Sequence, residues 1–279
     1  MKTYLDCIPC FLNQALRAGR IITEDENKLR TILDEVGIIL RDIPLERTPP
    51  EIGMLVYKKV GELTGEFDPY HNIKKDSTEK ALSLYHLLKD EVVKSKDRLL
   101  TAIKIAIAGN VIDYGVNRVF NIEEDIDKVL KNDFAIFDYD KFKHYLDKTN
   151  EILYIGDNSG ESVFDRILIE ELDKPVKYVV RGIPIINDVT YEDALQAGIG
   201  KVAHILSSGT SAPGTVLRTC NPEFMKIYNN SNFIISKGQG NYEALSDERH
   251  PIFFLLMAKC SVIANEIGVV EGDIILKGV

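Results

Sequence analysis

The chain has little of what secretion, membrane insertion or nucleic-acid binding requires. Its 279 residues include four cysteines and no tryptophan. Cys7, Cys10, Cys220 and Cys260 are too few and, beyond the first pair, too scattered for a disulfide scaffold. The longest apolar run, Ile252 to Ala258, is too short to cross a bilayer, so no membrane partner is expected. Met1-Lys2 is followed by Thr-Tyr-Leu-Asp rather than an apolar core and a cleavage site, which predicts no signal peptide and a cytoplasmic protein. Positive charge is in deficit: 34 Lys and Arg face 43 Asp and Glu, a net charge of −9. Such a surface repels phosphodiester backbones and argues against nucleic acid as a partner. It leaves room for a small phosphorylated ligand, because local cations override the global sign. Internal repeats and low-complexity segments are absent too.

What is present is an ordinary folding composition, 45% apolar and 28% charged. Residues 1–145 read mostly as helix, predicting a helical N-terminal subdomain or a layer covering a sheet. Leu29, Ile32, Leu33, Val36 and Ile39 form one helical stripe, and Ile52, Leu55, Val56 and Val60 form another after Pro50. Ser77 to Lys94 and Asp97 to Ala108 continue the pattern, and Asp68-Pro-Tyr-His71 punctuates it. From about 146 to 279 the period changes. Ile152 to Ile155, Val176 to Val180, Val202 to Leu206, Phe233 to Ile235 and Ile252 to Met257 are short apolar runs separated by helical segments or loops. That alternation predicts an α/β domain, a Rossmann-like and mostly parallel sheet with helices on both faces.

In open parallel sheets, ligands bind beyond the carboxyl ends of the strands. Four ends carry polar loops here. They are Gly156-Asp-Asn-Ser-Gly-Glu161, Asn187-Asp-Val-Thr190, Ser207-Ser-Gly-Thr-Ser211 and Lys237-Gly-Gln-Gly-Asn-Tyr-Glu243. Asp157, Asn158 and Asp188 are hard oxygen donors that suit a divalent ion. Lys237 offers a point charge for phosphoryl oxygens, and the glycines allow backbone N–H groups to approach an anion. The set fits phosphoryl transfer to water, with either a metal-activated water or Asp157 as nucleophile. Plainer readings exist for each residue alone. Asp157, Asn158 and Asp188 are also good helix caps, and a lysine is usually a solvated surface charge. Their coincidence at successive strand ends favours a site.

These motifs, together with Cys7-Ile-Pro-Cys10, Asp68-Pro-Tyr70 and Gly109-Asn-Val-Ile-Asp-Tyr-Gly115, resemble the metal-dependent damage-control phosphatases, a family first described as domain of unknown function 89. The resemblance spans nearly the whole chain and points to the compact, largely prokaryotic branch. It implies metal ligands Asp157, Asn158 and Asp188, with Mn²⁺, Mg²⁺, Co²⁺ or Ni²⁺ as the ion. It implies phosphate contact by Lys237 and hydrolysis of damaged or surplus metabolites, such as sugar phosphates or cofactor-precursor phosphates. Asn110, Glu161, Ser208, Gly209, Lys237 and Asn241 are the expected substrate-side residues.

Other residues read more plainly. Cys7 and Cys10 admit a redox pair, a second metal site, or a reduced pair packed on a helix. With Pro9 as first helical residue, Cys10 lies where a thiolate is favoured. Asp165 and Arg166 are expected to be solvated, and His204 to be buried within a strand. Two rivals to the phosphatase are an S-adenosylmethionine-dependent carboxyl methyltransferase and a non-catalytic phosphate- or nucleotide-binding protein. Nothing in the chain forbids an oligomer.

Overall fold

The computed structural model describes residues 1–109 and 130–279. The N-terminal helices are α1 (Cys7–Ile22), α2 (Glu26–Asp42), α3 (Pro49–Thr64), α4 (His71–Lys94) and α5 (Arg98–Ala108). After them come β1 (Phe134–Phe137), α6 (Tyr139–Lys148), β2 (Ile152–Ile155), α7 (Ser162–Glu171), β3 (Val176–Val180) and α8 (Tyr191–Gln196). The chain continues through β4 (His204–Ser207), α9 (Pro222–Asn230), β5 (Ile234–Lys237), α10 (Gly238–Leu245), β6 (Ile252–Met257), α11 (Ser261–Ile267) and β7 (Ile274–Gly278).

The strands form one seven-stranded sheet in the order β1-β7-β6-β5-β2-β3-β4. Pairing is parallel from β6 through β4, while β7 runs antiparallel to β6 and carries β1 beside it. The four strands β6, β5, β2 and β3 are buried on both faces, which is why they read as unbroken apolar runs. Alternate residues serve opposite layers. Ile152, Tyr154, Tyr178 and Ile235 face one core with helices α4 to α8. Leu153, Ile155, Val179 and Ile234 face a second core with α9, α10 and α11. A third cluster joins α1, α2 and α3 through Phe11, Ile32, Val36, Ile52 and Val56, and Ile186 from the sheet's rim packs against it.

Three strands depart from the pattern read from sequence, and β7, absent from it, pairs antiparallel with β6. β1 lies N-terminal to residue 146 and still joins the sheet, and α4 and α5 share the core of one sheet face. β4 begins at His204, two residues later than the apolar run suggests, and His204 is exposed at this edge strand rather than buried. α1 starts at Cys7, so Pro9 sits inside the first turn, where its missing N–H matters little. Among the described residues, no helix is long and apolar enough to cross a membrane.

Chain order runs outward from β2 through β3 to β4, then returns to β2's other side with β5. The crossover direction therefore reverses between β2 and β5. Their carboxyl ends lead into separate loops, the place where open parallel sheets bind ligands.

Candidate active site at the sheet's switch point

The loop leaving β2 is fastened to the loop leaving β3. Asn158 and Asp188 form an antiparallel bridge. The Val189 amide donates to the Asp157 carbonyl at 2.8 Å, and the Ser159 amide donates to the Asn187 carbonyl at 2.9 Å. Residues far apart in sequence are thereby set side by side, with the carboxylates of Asp157 and Asp188 both buried. Gly238 explains how Asp157 fits. Its φ is +76°, and a β-carbon there would stand 1.9 Å from Asp157 Oδ2. Only glycine lets the α10 backbone lie against that carboxylate.

Beneath the acids lies Arg181, the first residue beyond β3 and almost fully buried. Its Nε donates to Asp188 Oδ2 at 2.6 Å, and Nη2 stands 3.9 Å from Asp157 Oδ1. Nη1 reaches Thr215 Oγ1 at 3.1 Å and Nη2 reaches Asn241 Oδ1 at 3.2 Å. Asn241 is a staple: its Nδ2 donates to the carbonyls of Gly156 at 3.0 Å and Lys237 at 2.8 Å, joining the ends of β2 and β5.

Lys237 is placed differently from the expected phosphate contact. Its ammonium is wholly buried and donates to Glu161, to Asp165 Oδ1 at 2.6 Å and to the Ala106 carbonyl at 2.8 Å. Three acceptors match its three protons. Asp165 is correspondingly not solvated. It accepts the hydroxyls of Tyr154 and Tyr178, each at 2.7 Å. Arg166, half-buried, stacks on the Tyr85 ring at 4.2 Å and pairs with Glu170.

Ser208 is buried and spends its hydroxyl on the Val180 carbonyl at 2.8 Å, holding β3 to β4. Gly209 lies exposed at the rim with φ +78°. Asn110 lies outside the described residues; its neighbour Gly109 packs close to Glu161 and Phe164. Cys7 is half-buried and Cys10 exposed, both as free thiols, and burial pushes both thiols up. Among the described residues, no group of three or more His, Cys, Asp or Glu side chains is arranged to hold a metal ion. Any cation here draws on a mixed set of two carboxylates and an amide.

Two residues of the site are absent from the sequence expectations, and both follow a strand end. Arg181 directly succeeds the Val176 to Val180 run. Lys259 succeeds the Ile252 to Met257 run by two residues and is exposed. The Lys259 charge pulls the carboxyls of Asp157 and Glu161 down, against the burial that raises them. Applying the strand-end rule to every apolar run, basic residues included, finds them.

The electrostatics are those of crowded acids. Burial, then the charges of Glu161 and Asp188, holds the Asp157 carboxyl well above its usual range. Burial raises Glu161 too, opposed chiefly by Lys237. For Lys237, burial pulls downward, but Asp165 and Glu161 outweigh it and keep the ammonium protonated.

A mostly parallel seven-stranded sheet with helices on both faces, and paired buried acids beyond the carboxyl ends of β2 and β3, define a mixed α/β protein. The family described as "Damage-control phosphatase ARMT1-like domain" matches residues 3–275, and the chain belongs to that family. The damage-control phosphatase PH1575 of Pyrococcus horikoshii is 35% identical over 282 residues, covering 99% of this chain and 97% of that protein. A damage-control phosphatase of Archaeoglobus fulgidus is 33% identical over 287 residues, covering 99% of each. The uncharacterized protein MJ0202 of Methanocaldococcus jannaschii is 34% identical over 289 residues, covering 99% of this chain and 95% of that one. The crystal structure of the Pyrococcus horikoshii protein, described as a DUF89 family protein, superposes with a TM-score of 0.92 at 34% identity, covering 100% of this chain and 99% of that one.

Proposed function

We propose that this chain is a divalent-metal-dependent phosphomonoester hydrolase acting on small phosphorylated metabolites, sugar phosphates or cofactor-precursor phosphates, in metabolite damage control. The names of the Pyrococcus and Archaeoglobus relatives support the phosphatase reading. The observation that carries the metal is a charge imbalance. Among the described residues, four buried acids, Asp157, Glu161, Asp165 and Asp188, meet two buried cations, Arg181 and Lys237. Burial and the charges of Glu161 and Asp188 disfavour an ionised Asp157, and a divalent cation bound beside it would relieve that crowding.

Asp157, Asn158 and Asp188 would hold it, all three being hard oxygen donors suited to Mn²⁺, Mg²⁺, Co²⁺ or Ni²⁺. Bound there, the ion supplies charge neutralisation for a phosphoryl group. Lys259 at the mouth meets the outer phosphate oxygens as a point charge. Arg181 keeps Asp188 oriented, and Asn241 holds the two strand ends at fixed separation. The Gly209 rim bounds the substrate side. The geometry stabilises charge by positioning, which is most of what phosphoryl transfer asks of a protein.

The test is phosphate release from a panel of sugar phosphates and an aryl phosphate by chelator-stripped protein. Each metal is added back separately, beside the Asp157→Asn variant. Release restored by metal, and reduced at least ~100-fold in the variant, is expected. Full activity in Asp157→Asn, or release indifferent to chelation, would overturn the proposal.

A further inference from the structure

The buried pair of Lys237 and Glu161 stands one shell behind the proposed cation ligands, and the contacts between them concern the orientation of a single amide. Asn158 Nδ2 donates to Asp157 Oδ2 at 3.1 Å and to Glu161 Oε2 at 3.2 Å. Both partners are carboxylates, so the amide's nitrogen edge is the only edge that suits them. Its planar geometry turns Oδ1 to the opposite side. With both carboxyls ionised, as beside a bound cation, reversing the amide would set Oδ1 against two negative groups at hydrogen-bond distance.

Glu161 can impose this only if it is itself fixed. Its other oxygen, Oε1, is taken by Lys237, whose remaining donors are committed to Asp165 and to the Ala106 carbonyl at the end of α5. Asp165 is anchored in turn by the hydroxyls of Tyr154 and Tyr178. Every link in the chain from α5 to Asn158 is buried apart from Asn158 itself. We infer that the Lys237–Glu161 pair is a positioning device that locks the Asn158 amide with Nδ2 toward the acids and Oδ1 presented as a ligand oxygen. The inference rests on the cation reading above and assigns Lys237 to positioning in place of substrate contact.

A cross-background comparison tests it, read as Mn²⁺ affinity by titration calorimetry rather than as turnover. Glu161→Gln can offer its own NH₂ to Asn158 and so permits the reversed amide. Partners behind metal ligands typically change affinity about 10- to 100-fold when altered, and a loss of about tenfold or more is expected here. In an Asn158→Asp background there is no amide to orient, since both edges are oxygens. There, Glu161→Gln should leave Mn²⁺ affinity unchanged or improve it. Lys237→Met should follow Glu161→Gln in both backgrounds. Equal losses in the two backgrounds would overturn the lock, because Glu161 would then act through charge alone. No loss in the Asn158 background would overturn it as well. Circular dichroism and thermal unfolding of each variant exclude misfolding as the cause. Absence of Mn²⁺ binding by the unaltered protein is a separate result and would overturn the cation reading itself.

Discussion

Arg181 is the sharpest point at which to perturb this site. Replacing it with methionine keeps much of the apolar volume and removes the guanidinium. Asp188 then loses a charge-assisted hydrogen bond of 2.6 Å while remaining 2% exposed. Thr215 and Asn241 lose a partner too. Removing one member of a buried ion pair costs about 3–5 kcal/mol, because the other charge stays behind in a dry site. For a chain of this size each kcal/mol moves Tm by roughly 2–3 °C, so metal-free Arg181→Met should melt about 6–15 °C lower. Adding Asp188→Asn removes the stranded charge, and the double variant should recover roughly half the loss or more, measured as a double-mutant cycle in urea. A loss below ~1 kcal/mol, or a double variant no better than the single one, would refute the claim that Arg181 is there to balance Asp188.

Two further outcomes are expected. Lys259→Ala should lower kcat/KM for phosphate esters about 10- to 100-fold with Tm unchanged, since the side chain is exposed; equal kinetics would remove it from the substrate site. Glu243 gives a pH signature away from the proposed ligands. Burial raises its carboxyl to about 7 from the ordinary 4.5. An acid raised by folding holds its proton longer in the folded state than in the unfolded chain. Its protonated form therefore favours folding at low pH, and that advantage is lost as pH rises from about 4.5 to about 7. Relative to wild type, Glu243→Gln should become progressively more stable between pH 4.5 and 8, by at most ~3 kcal/mol, in chemical denaturation at several pH values. A difference flat with pH would mean the carboxyl is not held away from water.

Strands β2, β3, β5 and β6 were legible because parallel strands covered on both faces read as apolar runs. Their loops were legible because a polar cluster directly after such a run marks where the chain leaves the sheet. β1 and β7 carried weaker signals. Phe134-Ala-Ile-Phe137 alternates between half-buried and exposed at the sheet's edge. Ile274 to Gly278 ends in lysine and glycine, half-buried at its last two residues. The basic half of the site was harder still. A lysine or arginine in a sequence is a solvated charge by default, and only tertiary structure supplies the acids that bury it. Glu161 and Asp165 visibly share a helical turn, but nothing local says that Lys237, 76 and 72 residues away, completes them.

The reversal of strand order at β2 and β5 also divides charge along the chain. Every acid of the site, Asp157, Glu161, Asp165 and Asp188, arrives before residue 190 with Arg181 alone for company, while both lysines, Lys237 and Lys259, come later. The first half of the sheet therefore carries the site's acids, and β5 brings in Lys237, the partner of Glu161 and Asp165. A chain cut between β4 and β5 yields two fragments of opposite polarity at their mating edge. Neither holds a balanced site, and each carries part of the instruction for finding the other.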